Sequence, residues 1–370
     1  MSLSYIKHFV RFVGLIVGLM IVIGGYSYSF AATDVPLYED QVVISQDASQ
    51  KEQNQAIRQA FERVLVRVTG QQETLQQSGI RQQLNSGSQY LTSFRFESSD
   101  VFFTNVLGER VPTKKMILEF DENAVNSLLV RNSLPVWGSR RPEVLVWIAD
   151  RSSGRDHIPG DTENSALIDI LDDEAGSRGL PYLLPIMDLT DTLNIKFADL
   201  YGLFSQDIEM ASARYDADAV LAGRIDKSGS GYQADWLVLF KGERIRVERV
   251  EGSLNEVIAA GLTAVSNRLS AQYAYVLDPS SVDNLQVQVL DVSDASTFAA
   301  IESYLEGINL ISRLTLDSLT EEGVTFNVQV NGDQMQLVDS LELDGKLVPV
   351  PALTLEEQLD SRLVYRWLSR

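Results

Sequence analysis

Between residues 38 and 134, the hydrophobic positions follow two different periods. One group has the spacing of a helical face, which predicts a helix over residues 49–68 that stops at Gly70. The group comprises Ile57, Phe61, Val64 and Val68. Residues 41–45, 92–98 and 114–120 predict strands, with strict alternation in the third. Further helices are predicted through Ile80 and Leu84 and after Asp121, so this region is expected to be an α+β module.

The next region follows a segment that is expected to contain neither helix nor strand. Two prolines and a glycine in residues 133–143 (SLPVWGSRRPE) predict a connector without regular structure. The apolar run at 144–149 then predicts a strand buried on both faces, and it opens a second domain over residues 143–277. Helices around Leu167 and Ile208, strands at 182–188 and 219–225, and a hairpin across Lys241-Gly242 predict a mixed sheet with flanking helices. Ser253 and Glu256 form a capping-box pattern that opens a long closing helix.

Residues 284–350 have the clearest pattern. Alternate apolar residues predict a strand with one packed face, and they are Val324, Phe326, Val328 and Val330. The surrounding segments complete the order β-α-β-β-α-β, which is the ferredoxin-like plan. Thr354 and Glu357 form a second capping-box pattern and predict a C-terminal helix over residues 354–370. The fold class predicted is thus α+β, with three small mixed domains.

The first 32 residues predict where the protein is located in the cell. Lys7 and Arg11 precede an apolar run at 12–23, and small residues end the segment at Ala31 and Ala32. This is the pattern of a signal peptide with cleavage near Ala31-Ala32, so we expect the protein to be exported to the periplasm. The alternative is an uncleaved inner-membrane anchor facing the periplasm, since the segment is long enough to span a bilayer.

The composition excludes several kinds of catalytic and metal-binding site. The chain has no cysteine, which excludes disulfides, a thiol nucleophile and cysteine-ligated metals. After the signal segment the only histidine is His157, in a Gly/Ser/Asp/Pro loop where an exposed bystander is expected rather than a catalyst. We therefore expect no cofactor and no metal site. The net charge of −20 makes nucleic acid an unfavourable partner, and membrane association is expected only through an uncleaved signal segment.

Two patterns could carry chemistry but have simpler interpretations. The densest acidic cluster consists of Asp169, Asp172, Asp173 and Glu174. Paired carboxylates can hydrolyse glycosides or hold calcium, yet on an amphipathic helix a solvated face is the simpler interpretation. Residues 227–233 (KSGSGYQ) resemble part of a phosphate loop, but no Walker lysine or helix follows, so a hairpin turn is predicted.

The connector holds the strongest binding candidates. Trp137, Arg140 and Arg141 are residue types that dominate interface hot spots, and the arginines could clamp a carboxylate or phosphate. We predict a partner or ligand contact there. The alternative is structural, with Trp137 packed in the domain joint and the arginines paired with local acids.

Three segments together resemble the gammaproteobacterial secreted family called domain of unknown function 2066, and they are QAIRQAFERVLVRVTG, SLPVWGSRRPEVLVWIAD and ARYDADAVLAGRI. The resemblance implies an envelope protein and transfers no functional residues. Residues 182–277 are also similar to the amino-terminal domain of the translocation protein TolB, and the helix over 49–68 to the leading domain of flagellar assembly protein T. These likenesses imply binding to other envelope proteins, by analogy only.

The function predicted is a non-catalytic periplasmic accessory or assembly protein that binds an envelope protein. The alternative, from a different class, is a carboxylate-based hydrolase of envelope glycans. A pocket with two facing carboxylates would favour the hydrolase, and an exposed apolar patch would favour the binding protein.

Overall fold

The computed structural model describes residues 33–104, 108–276, 283–292, 294–320, 322–343, 345–351 and 362–368. The predicted signal peptide, with Ala31 and Ala32, lies outside the described residues. Helices and strands are interspersed along the chain. The strands form three larger sheets, and each sheet has its own hydrophobic core with helices packed on it, which confirms the α+β class. Among the described helices, none combines the length and apolar character needed to cross a bilayer.

The first region is a three-stranded antiparallel sheet with helices on one face. Its elements are β1 (Thr33–Asp34), β2 (Glu39–Ser45), α1 (Gln50–Thr69), α2 (Ser78–Gln83), β3 (Leu91–Thr104), β4 (Arg110–Phe120) and α3 (Glu122–Arg131). The strand order is β2-β4-β3. Ser49 and Glu52 cap the start of α1, and Gly70 ends it in the left-handed conformation, as predicted. Apolar residues of α1 pack on β2 and β4 to form the first core.

The connector is more ordered than its prolines and glycine suggest. β5 (Arg140–Arg141) pairs antiparallel with β1, so the prediction of no regular structure is wrong at these two residues. Val136 also pairs with Tyr275 in an isolated bridge. The pairing of β5 is possible because Arg140 and Arg141 lie after Gly138 and before Pro142, so the proline, which lacks a backbone N–H, is outside the paired residues.

The second region is a five-stranded mixed sheet covered on both faces. Its elements are β6 (Val144–Asp150), α4 (Ala166–Arg178), β7 (Tyr182–Leu183), α5 (Leu189–Asn194), α6 (Phe197–Tyr201), α7 (Ser205–Ser212), β8 (Ala219–Ser228), β9 (Gly231–Phe240), β10 (Glu243–Gly252) and α8 (Leu254–Tyr273). The strand order is β10-β9-β8-β6-β7, with β6 parallel to both of its neighbours. Helices α4 and α8 cover one face and α5–α7 the other, so β6 is buried on both faces, as predicted.

Local turn chemistry in this region follows the sequence, with one correction. Lys241 and Gly242 both have positive φ, as a two-residue hairpin requires, and Ser253 with Glu256 caps α8. Residues 227–233 form the end of the β8–β9 hairpin, with the turn at Gly229-Ser230. The strand predicted over 182–188 stops at Leu183, because Pro185 has no N–H to donate and Asp188 already caps α5.

The third region contains the predicted β-α-β-β-α-β order and one further strand. Its elements are β11 (Asp283–Leu290), α9 (Ala295–Glu306), β12 (Ile311–Leu319), β13 (Gly323–Val330), α10 (Gln334–Glu342), β14 (Leu347–Pro349) and β15 (Leu363–Trp367). The order is β12-β13-β11-β15-β14. β15 inserts parallel to β11 and displaces β14 by one position from the place a ferredoxin-like sheet gives it.

The predicted C-terminal helix over 354–370 is therefore wrong at residues 363–367. Its capping residues Thr354 and Glu357 lie outside the described residues. Tyr365 is 2% exposed and belongs to the third core, while Arg366 faces outward, which is the alternation of a strand. The backbone of β15 is hydrogen-bonded on both sides, by β11 and by β14, and a helix at this position would leave both neighbours unpaired.

Candidate functional site: an aromatic arm

Two of the three connector residues predicted to contact a partner, Trp137 and Arg141, lie inside the molecule, and Arg140 is half-buried. Trp137 is 1% exposed, and its backbone N–H donates to Val68 O at the end of α1 (2.7 Å). A Cβ atom at Gly70 would lie 2.5 Å from the Trp137 ring, so the indole packs directly on that glycine. Ser266 of α8 donates to Gly70 O (2.8 Å). Trp137 thus fills the joint between the first two regions.

Arg141 is a fully buried cation held by main-chain oxygens. Its Nε donates to Gly138 O (2.6 Å), and one terminal nitrogen donates to Arg67 O (2.7 Å) and Trp137 O (2.9 Å). The guanidinium stacks 3.8 Å from the centroid of the Trp137 ring. Burial, together with nearby Arg67, lowers the pKa of Arg141 well below its ordinary value. One carbonyl at the negative end of α1 and two carbonyls of the connector, rather than the expected acids, hold this charge.

Arg140 joins the connector to the third region. Its guanidinium stacks 4.1 Å from the centroid of the Tyr304 ring, and it donates to Ser340 O (3.4 Å). Together with Trp137 and Tyr275 it lines a cavity of about 30 Å³, which is the size of one water molecule. The three connector residues therefore tie the regions together. Trp137 and Arg141 have almost no exposed surface that a partner could contact.

The other sequence candidates lie at the surface. His157 is exposed, as predicted, and bonds Glu163 Oε2 (2.6 Å), while its neighbour Asp156 pairs with Arg151 (2.7 Å). The acidic cluster lies on α4, where Asp169, Asp172 and Asp173 are exposed and Glu174 pairs with Arg178. In the described part of the chain, no group of three or more His, Asp or Glu residues is placed to hold a metal ion.

The hairpin of β3 and β4 carries five exposed apolar residues on one continuous strand. We call its outer strand and tip, residues 94–104, the aromatic arm. Its exposed apolar residues are Phe94 (50%), Phe96 (43%), Val101 (50%), Phe102 (46%) and Phe103 (41%). β3 has 14 residues, all exposed or half-buried, because α1 packs on β2 and β4 and leaves the third strand uncovered.

The arm continues the face that forms the first core. Phe94 lies opposite Leu118 and Phe96 opposite Met116 in the antiparallel register, so each pair of side chains points to the same face. Leu118 and Met116 are fully buried beneath α1, whereas their phenylalanine neighbours lie beyond it. The two rings contact each other edge to face, with centroids 5.7 Å apart. An apolar row therefore extends from the core to the surface.

Two cations lie over this row. Lys114 Nζ is 4.4 Å from the centroid of Phe96, and the Arg110 guanidinium is 4.2 Å from that of Phe102. Such contacts keep long cationic side chains against aromatic faces. The register shifts between Ser98 and Phe102, and Thr113 Oγ1 donates to Val101 O (2.6 Å) at that bulge. The tip is thereby re-aimed without losing its pairing to β4.

The outer side of β3 is an open strand edge. Among the described strands, β4 is its only partner, which leaves outward backbone N–H and C=O groups for another chain. β10 is also an edge, but charged residues and a bulge between Val247 and Val250 protect it. The edge strand β3 also has a bulge and the charged residues Arg95 and Glu97, but at Phe94 and Phe96 aromatic side chains alternate with those charges. This combination is what strand-addition sites offer to an extended peptide.

Sequence reasoning placed Phe94 and Phe96 on a strand and did not identify them as a surface. A usable signal was present, because Phe102 and Phe103 are adjacent and must point to opposite faces of one strand. A three-stranded sheet with helices on one face cannot bury both. The length of β3 also indicates that part of the strand is exposed, because 14 residues extend past a single helix that packs across the sheet.

One family model, described as a domain of unknown function (DUF8605), matches residues 31–138, which contain the whole arm and the connector as far as Gly138. This is a different family from domain of unknown function 2066, so the latter resemblance stays a prediction. No curated protein and no solved structure matches the chain. The matched range ends where Trp137 and Gly138 dock on α1, so the match covers the first region as the structure delimits it.

Proposed function

We propose that this protein is a non-catalytic accessory of the cell envelope that binds another envelope protein through the aromatic arm. The carrying observation is the apolar row at Phe94 and Phe96, which continues a buried core face into solvent beside an open strand edge. The proposed location is the periplasm. It rests on the pattern of Lys7, Arg11 and the apolar run that follows, with an uncleaved membrane anchor as the alternative.

The proposed occupant is an extended segment of the partner that adds to the edge of β3. Its backbone would pair with the free N–H and C=O groups, and its apolar side chains, at every second position, would pack on Phe94 and Phe96. Lys114 and Arg110 lie on the same face, so acidic residues beside those apolar positions would be favoured.

The size of the patch sets the expected strength. Phe94, Phe96 and Phe102 share one face and are each about half exposed, so they present on the order of 300 Å² of apolar surface. That is at the lower end of the range for the largest patch on a monomer and under half of what a standard interface buries per partner. A moderate, reversible interaction is expected, with strand pairing supplying the remaining contacts.

The test is photo-crosslinking in cells followed by mass spectrometry. A crosslinking residue at position 103 should capture a specific envelope protein, and the double change Phe94→Ser with Phe96→Ser should abolish that product. The matched control is Leu316→Ser with Leu319→Ser, which removes two apolar residues of similar exposure (50% and 61%) from the edge strand β12.

Equal crosslinking by both double variants would refute the role of the arm. Capture of a second copy of this chain would show that the edge mediates self-association, and would overturn the proposed hetero-partner. Since the substituted residues are about half exposed, both variants should stay folded, which a melting curve verifies.

A further inference from the structure

A second, polar feature lies in the middle region, away from the arm. A cavity of about 240 Å³ lies between the middle of strands β8–β10 and the segment that follows α6. It is lined by Gly202, Leu203, Arg224, Asp235, Trp236, Arg246, Glu248 and Arg249. Three guanidinium groups therefore meet two carboxylates in a chain whose net charge is −20.

One of the arginines is fully engaged. Arg224 Nε donates to Asp235 Oδ2 (2.9 Å), and one of its terminal nitrogens donates to Tyr201 O (3.3 Å). Asp235 is only 9% exposed, and its other oxygen accepts the backbone N–H of Arg249 (3.0 Å). Arg224 and Asp235 thus neutralise each other and form a rigid wall of the cavity.

The other two arginines keep their charges available. Arg246 donates only to Leu203 O (3.2 Å), and Arg249 makes no side-chain hydrogen bond or ion pair with any described residue. Glu248 lines the same cavity and pairs with neither of them within the described chain. By contrast Arg244, on the same strand, donates both nitrogens to Glu209 (3.1 and 3.2 Å). Two unneutralised guanidinium groups and one unneutralised carboxylate therefore line one cavity, and all three side chains are exposed to solvent.

The backbone at Arg249 is strained. Its φ is 51°, a left-handed conformation that suits glycine or asparagine and disfavours a long side chain. The position lies in the bulge between Val247 and Val250, and such bulges re-aim a side chain at the edge of a sheet. Lys241 has the same conformation in a hairpin turn, whereas at Arg249 it occurs beside a cavity, and backbone strain clusters at ligand sites.

We propose that this cavity binds the phosphate group of a small molecule, with Arg246 and Arg249 as its two guanidinium clamps. Planar forks recognise phosphate oxygens in pairs, which a lysine cannot do. The volume is several times the share of one water molecule, about 30 Å³, so it accommodates a phosphate with a short organic group attached. The charged, bulged edge of β10 also prevents edge pairing, and the experiment separates the two roles.

The test is calorimetric titration at constant ionic strength with inorganic phosphate and with glycerol 3-phosphate, against chloride as the reference. Arg246→Gln and Arg249→Gln should each weaken phosphate binding about tenfold or more, as loss of a charge-assisted pair of hydrogen bonds implies. Arg244→Gln is the matched control and should change binding less than about twofold, because its charge is already neutralised by Glu209.

Tighter binding of glycerol 3-phosphate would identify a phosphate ester as the ligand class, and equal binding would identify free phosphate. Arg249→Gly should raise the melting temperature, because it relieves the positive φ, while it abolishes phosphate binding. No phosphate-specific heat with the wild-type protein, or the same loss in Arg244→Gln as in Arg249→Gln, would overturn the proposal. In that case protection of the strand edge would be the only role of these arginines.

Discussion

Replacing Trp137 tests whether the connector is a structural joint. The side chain is 1% exposed, and burial of an indole removes about 150–250 Å² from water, so Trp137→Ala should cost about 4–6 kcal/mol from area alone. Measured losses for such truncations are about 3–5 kcal/mol, to which the contact with the Arg141 guanidinium adds. We expect a loss of about 4–5 kcal/mol in the free energy of unfolding.

The same site allows a double-mutant cycle. Gly70→Ala introduces a Cβ atom at a positive φ, and that atom would lie 2.5 Å from the Trp137 ring and 2.6 Å from Ser270 Cβ. Backbone strain of about 1 kcal/mol and overpacking of about 1–3 kcal/mol should add to about 2–4 kcal/mol. In the Trp137→Ala background the clash with the ring is gone, so the two changes should couple by about 1–2 kcal/mol.

Urea unfolding followed by circular dichroism measures each corner of the cycle. Additive losses, or a loss below about 1 kcal/mol for Trp137→Ala, would refute the packing of the indole on Gly70. A stable Trp137→Ala variant that lost a binding partner would restore the predicted contact site instead.

Three further outcomes follow from the structure. Hydrogen bonding to Arg214 lowers the pKa of Asp188 from 3.8 to about 2. Ionised Asp188 therefore stabilises the fold above about pH 4, and this contribution disappears towards pH 2. Asp188→Asn should lower the melting temperature near neutral pH and have almost no effect at pH 2. Tyr365→Ala should cost about 3–5 kcal/mol in urea unfolding, as for a core residue, where an exposed helix position would lose under about 0.5 kcal/mol. Phe94→Ser and Phe96→Ser should each cost about 2 kcal/mol, since half of each ring is already in water. Losses as large as that of Tyr365→Ala would mean that the arm is covered.

The parts of the fold that the sequence predicts well are those decided by local chemistry. Ser49 and Glu52 cap α1 and Gly70 ends it, and each signal lies within one turn of the helix terminus. The hairpin at Lys241-Gly242 follows in the same way from the two positive φ angles that its turn needs. No distant contact is required to predict these features.

The parts that were missed depend on partners far along the chain. Residues 363–367 carry apolar side chains whose spacing fits a helix or a strand, and pairing with β11 and β14 decides in favour of the strand. Tryptophan and arginine are residue types found both at interfaces with partners and in joints between domains. Trp137 and Arg141 are known to lie in a joint only because the structure places them against the end of α1. The exposure of Phe94 likewise depends on where α1 stops covering the sheet.

Hydrogen exchange tests the role of the aromatic arm most directly. The protein would be measured alone and with the partner identified by crosslinking at position 103. The account predicts that outward amides of β3, within Leu91–Thr104, exchange rapidly in the free protein and become protected in the complex, while those of β12, within Ile311–Leu319, do not change. Protection at β12 or elsewhere with β3 unchanged would contradict it.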